Sequence, residues 1–217
     1  MHASGRAISF RKTPGGRHIS PFNFLRRGKS PDPEAFAVFL RRQAAFVAQK
    51  TVIDYCRVKA GRRERQLFAD PDFAVALRHC RWQVYLAALA DVVVLAEAWL
   101  RPHAAGQEAA LADALVRMHD AALAAEPPPE EERPAAEAAR LAFPTHLAAS
   151  QQAAPVSAHR MALLSDAPLF ATLPVHADQR VGETPAIRGA LRFHIVATQQ
   201  EMERLFDPAK LAAGLMT

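Results

Sequence analysis

The chain has 217 residues, of which 50 % are hydrophobic and 23 % charged, with 27 Lys and Arg against 22 Asp and Glu and a formal net charge of +5. Nine glycines, 16 prolines and two cysteines exclude a collagen-like repeat, a disulfide scaffold and wholesale disorder. A chain of this length buries roughly 70 % of the surface its unfolded form exposes, enough for one core without staples.

Alanine is the most informative residue type. The 46 alanines and an aromatic share of 7 % favour helices built from small and aliphatic side chains over a β-sandwich. The fold class read from this composition is mainly α. Cys56 and Cys80 both fall in helical patterns and read as small buried thiols, kept reduced in a cytoplasmic setting.

Residues 1–33 carry seven Lys or Arg and one acidic residue, Asp32. Residues 1–31 therefore read as a basic arm. The arm lacks the apolar run of a secretory signal, and Pro14, Gly15, Gly16 and Pro21 break any amphipathic helix in it. An Arg-rich start without acidic residues also resembles an organelle transit peptide, which would place the protein in an organelle matrix.

Asp32-Pro33-Glu34 is a helix start: a capping side chain, a proline for the first turn, and a carboxylate at the positive end of the dipole. Phe36, Phe39, Leu40, Ala44, Val47, Val52 and Tyr55 then recur at spacings of three and four as far as Gly61. Asp70-Pro71-Asp72 repeats the start signal for a second helix that ends at Arg101-Pro102. The expectation is a long antiparallel helical hairpin, about 33–60 and 71–101, joined by a loop of about ten residues. Val84 to Leu100 is the most apolar stretch, but Asp91 and Glu97 interrupt it, so it reads as a core helix and no transmembrane segment is expected.

Further Ala-rich helices are predicted near 106–125 and 135–150, separated by the Pro/Glu-rich run 126–134, which reads as a hinge. In the last part, Leu191, Phe193 and Ile195 alternate with Arg192 and His194. That alternation predicts a short strand pair turned around Gly182 within a small α+β piece, followed by a helix through 201–206 and a terminal turn from Pro208. The predicted organisation is thus an arm (1–31), a helical core (32–125), a hinge (126–134), and a helix with a small α+β region (135–217).

Templates for chemistry are missing. Gly28-Lys29-Ser30 lacks the upstream glycine and the strand-to-helix setting of a phosphate loop. No serine sits in a G-x-S-x-G elbow. The nine histidines are scattered, with no paired C-x-x-C and no H-x-x-x-H, so no metal, cofactor or catalytic residue is assigned.

Charge clusters remain. Arg57, Lys59, Arg62, Arg63 and Arg65, with Arg26, Arg27 and Lys29 of the arm, form a candidate anion-binding surface. Lys50, Asp54, Arg81, Asp91 and Glu97 are candidates for buried ion pairs, because an unpaired buried charge is costly. The alternative role for Asp91 or Glu97 is to line a pocket with Tyr55, Trp82 or Tyr85.

The function expected from these features is a non-enzymatic helical interaction or adaptor protein whose basic arm and loop dock on an anionic macromolecule or another protein. The first alternative is a sequence-nonspecific nucleic-acid binder, and peripheral contact with an anionic membrane uses the same charges. The second is a small-anion-recognising enzyme with a site between the hairpin and the C-terminal region, drawing on His176, Arg180, Arg188, Arg192 and His194. An Ala-rich helix edge is also a candidate homodimer seam.

Overall fold

The computed structural model describes residues 28–217; the anion-surface candidates Arg26 and Arg27 lie outside them. Helix α1 spans Pro33–Ala60, and the Asp32 carboxylate accepts the Glu34 N–H at 2.9 Å to cap it. Its stop is Gly61, at φ 52°, a conformation that a side chain with a Cβ resists. Helix α3 spans Pro71–Leu100, and Asp70 accepts the Phe73 N–H at 2.9 Å.

The segment between these helices is not a plain loop. Gly61–Arg63 forms one 3-10 turn and Glu64–Ala69 forms helix α2. Phe36 of α1 lies against Trp99 of α3, with ring centroids 6.3 Å apart, while Cys56 near the other end of α1 feels the charge state of Cys80. The two long helices pack against each other.

Helix α3 is the centre of the molecule. From Val84 to Ala96 every residue except Ala87 is buried, so the helix has no solvent face over more than three turns. By length and composition it is apolar enough to cross a membrane, and 83 % of its most apolar window is buried inside the protein. Around it pack α1, α4 (Glu108–Ala125), α5 (Arg133–Gln151) and α6 (Asp166–Thr172), then α7 (Thr184–Leu205) and α8 (Pro208–Leu215). At one end Phe206 meets the stacked pair Phe36 and Phe39 edge-on, its ring centroid 5.0 and 5.3 Å from theirs. The chain before α1 is tied to that corner. Ser30 N–H donates to the Leu205 carbonyl at 2.8 Å, and the Asp207 N–H donates to the Ser30 carbonyl at 3.0 Å.

The fold is mainly helical, as composition indicates, but the predicted strand pair is overturned: the described residues contain no strand, only the single bridge at Ser30 and Phe206. Residues 186–196 belong to α7, and 169–172 to α6. The buried positions of α7 are Ile187, Leu191, Ile195, Thr198 and Met202, steps of three and four. Leu191 and Ile195 do share a face, but Phe193 between them is 67 % exposed, so the period of two came from a window too short to reveal 3.6. Gly182, at φ 78°, does turn the chain, into a helix and not into a ribbon.

Glu126-Pro127-Pro128-Pro129 ends α4 as expected, and Glu130–Glu132 makes a 3-10 turn into α5. This run is anchored. Arg41 of α1 reaches Glu126 at 2.6 Å, and the buried Glu132 accepts from Gln83 at 2.8 Å and lies 2.6 Å from His79 Nδ1.

Candidate functional site

The basic turn between α1 and α3 separates into paired and unpaired cations. Arg57 lies 3.1 Å from Glu64 and 3.9 Å from Asp54. Lys59 holds Glu183 at 2.6 Å, and the same carboxylate accepts the Tyr55 hydroxyl at 2.5 Å. Those two donors, Lys59 first, hold the Glu183 carboxyl below its ordinary range, whereas burial and Glu183 push the Tyr55 phenol up. Arg62, Arg63 and Arg65 are exposed and make no ion pair among the described residues. Lys29 is exposed beside Ser30, at the α7–α8 corner, away from this turn. Of the proposed anion surface, then, Arg62, Arg63 and Arg65 stay exposed and unpaired among the described residues, across the 3-10 turn and the start of α2.

The five ion-pair candidates divide differently from expectation. Lys50 and Asp54 do pair, at 2.5 Å, but within α1 and with both side chains about 40 % exposed. Glu97 is fully buried and pairs with Arg101, one turn on, through two bonds of 2.7 and 2.6 Å. Arg101 also donates to the Ala153 carbonyl at 2.6 Å, so the pair closes the end of α5 onto α3. Asp91, 1 % exposed, has no ion pair among the described residues. It accepts the Leu164 N–H at 2.8 Å, the Ser165 N–H at 3.0 Å and the Ser165 hydroxyl at 2.6 Å, replacing the missing cap of α6 from another helix. Burial pushes the Asp91 carboxyl up, and these hydrogen bonds pull it partly back. Arg81 is not buried; it stands at the mouth of a cleft.

That cleft, about 250 Å³, lies between α1 and α3. Trp82 and Tyr85 line it, as the pocket reading expected, but Asp91 and Glu97 do not. Tyr85 is 6 % exposed and its hydroxyl has no hydrogen-bond partner.

Sequence patterning missed a polar seam near the C-terminal end of α1. Arg180 acts electrostatically on both Tyr55 and Cys80 and donates to the Phe170 carbonyl at 3.3 Å, while Thr172 donates to the Pro168 carbonyl at 2.7 Å. Burial raises Cys56 to about 12 and Cys80 to about 11, so both remain protonated, weakly nucleophilic thiols at neutral pH. No local spacing announces this seam, because its members come from α1, α3, α6 and the turn Ala177–Arg180.

The other C-terminal polar residues are dispersed. Arg188 forks onto Asp166 at 2.9 Å over the Phe170 ring, and Arg192 donates to the Ala158 and Met161 carbonyls. His176 faces Asp178 in solvent, and His194 meets Phe46 edge-on. Burial lowers His194, with Lys50 adding to the shift. Among the described residues no group of three or more His, Cys, Asp or Glu is placed to hold a metal ion. Comparison with protein-family models, with curated proteins and with solved structures finds no match for the chain.

Proposed function

We propose that the protein is a non-enzymatic helical interaction module, with α1 and α3 as its scaffold hairpin, that docks on an acidic partner protein. The observation that carries the reading is the trio Arg62, Arg63 and Arg65, exposed on the 3-10 turn and the first residues of α2, with no carboxylate engaging them among the described residues. A cation used only to cap α1 has no need of three further guanidiniums beyond Arg57 and Lys59, which already satisfy that role. Guanidiniums fork onto carboxylates with two parallel hydrogen bonds, which suits aspartate and glutamate side chains on a partner.

A protein partner is favoured over nucleic acid because the patch is small and carries aliphatic, not aromatic, surface. Val58 and Val181, 82 and 81 % exposed, stand in the chain next to the residues around the Lys59–Glu183 bridge. Three phosphate contacts would supply only a third to a half of the 6–10 contacts found in strong duplex binders. The basic residues of the N-terminal arm would add long-range attraction to either partner.

The test is fluorescence anisotropy of a labelled 12-residue glutamate-rich peptide titrated with the full chain and with R62Q/R63Q/R65Q. Loss of tenfold or more in affinity, with an unchanged helical circular-dichroism spectrum, supports the reading. Equal binding by the triple variant refutes it.

A further inference from the structure

The cleft between α1 and α3 lies about 13 residues before Gly61, roughly 20 Å along α1 from the basic turn at 1.5 Å per residue. It is therefore a separate feature from the docking turn. Ala45 and Ala48 of α1 leave the space open, and Trp82 and Tyr85 of α3, edge-to-face at 5.6 Å and 84°, give it an aromatic wall. At about 250 Å³ it falls just below the roughly 300–1,000 Å³ of sites for drug-sized ligands, and fits a molecule of one or two rings.

Two observations of different kinds point to what fills it. The first is the Tyr85 hydroxyl. A buried phenol normally donates to a partner, and this one has none among the described residues although Tyr85 is more than nine-tenths buried and lines the cleft. The second is the charge at the mouth. Arg81 makes no ion pair among the described residues, and Arg78 has only Glu131 at 3.9 Å. The carboxylate that lines the cleft, Glu126, is neutralised by Arg41 at 2.6 Å. The site thus has an apolar aromatic wall, whose Tyr85 carries a buried, unpartnered O–H donor, and two guanidiniums with little to neutralise them.

We propose that this cleft is a binding site for a small aromatic carboxylate. The ring lies against Trp82 and the alanines, the carboxylate takes Arg81 with support from Arg78, and the Tyr85 hydroxyl donates to a ligand oxygen. Free phosphate would leave the aromatic wall unused. A cationic aromatic would meet two arginines and is excluded on charge. Burial raises Tyr85 to about 12, which keeps the hydroxyl a neutral donor at physiological pH.

The experiment titrates the full-length W99F protein, in which Trp82 is the remaining tryptophan, with indole-3-acetate and benzoate, following binding by calorimetry and, for benzoate, by Trp82 fluorescence. Indole-3-acetamide and benzamide are the neutral counterparts. The expected result is saturable binding of an acid at about 0.1–1 mM, as a ligand of about a dozen atoms allows. The amides bind about tenfold more weakly, and R81Q and Y85F each cost about tenfold. Y85F is the discriminating variant: because the hydroxyl satisfies nothing in the free protein, its melting temperature stays equal or rises while binding falls. No saturation by either acid at 10 mM, equal binding of acids and amides, or full binding by both R81Q and Y85F overturns the proposal.

Discussion

His119 is the most exposed weakness in the core. It sits on α4 with its ring 0 % exposed, stacked on Phe143 of α5 at 4.0 Å and 9°, and neither ring nitrogen has a hydrogen-bond partner. Asp120 Oδ1 is 3.7 Å from Nδ1, too far to accept a hydrogen bond. Burial pulls the ring down to about 4, with Asp120 opposing the shift. An unfolded histidine titrates near 6.5, so on acidification the unfolded chain takes up the proton first. The stability from keeping this ring neutral is present above pH 6.5 and is lost as the pH falls towards 4. Between pH 7 and pH 5 the loss is about 2 kcal/mol, or about 4–8 °C of melting temperature for a chain of this size. H119M keeps the volume and a sulfur–aromatic contact to Phe143 while removing two unsatisfied nitrogens. It is expected to gain about 1 kcal/mol at pH 7 and to lose about 2 kcal/mol less than wild type on going to pH 5. Urea unfolding followed by circular dichroism at both pH values measures this. A pH dependence identical in wild type and H119M refutes the reasoning.

Three further predictions address the fold. Gly189 lies inside α7 with open space where a Cβ would go, so G189A should stabilise by about 0.5–1 kcal/mol in thermal unfolding, whereas a loss would argue against a helix there. D91N keeps an acceptor but cannot take all three Leu164 and Ser165 donors, and should cost about 1–3 kcal/mol in urea unfolding; a neutral result would remove Asp91 as the cap of α6. R101M leaves Glu97 buried with only Gln151 Nε2 at 3.0 Å, and should cost about 3–5 kcal/mol, with E97Q/R101M recovering part of it.

The helix boundaries around α1 and α3 were legible because their signals are local: Asp32 and Asp70 cap within three residues, and Gly61 ends α1 by its own backbone freedom. The end of the chain was misread for an equally local reason. Arg192 and His194 flank Phe193 as a strand's polar face would, and only the wider run from Ile187 to Met202 shows the helical period. Tertiary pairing was hidden altogether. Asp91 looked like half of an ion pair, yet its partners are backbone N–H groups more than 70 residues away. Arg81 looked buried by its neighbours in the sequence, but it belongs to the largely exposed first part of α3, before the all-round burial that begins at Val84.

A docking surface made by Arg62, Arg63 and Arg65 for an acidic protein, as proposed, binds through charge and must weaken with salt. Its most direct measurement is the salt dependence of binding, from 50 to 200 mM, for the glutamate-rich peptide and for a 20-base-pair duplex, each with wild type and R62Q/R63Q/R65Q. The account predicts that the peptide binds more tightly than the duplex at 150 mM salt and that the triple variant loses most of its salt dependence. For the duplex, the variant should lower the slope of log K against log salt by about 2.7, the equivalent of three contacts. A duplex that binds more tightly than the peptide, or a variant whose peptide affinity and slope match those of wild type, would contradict it.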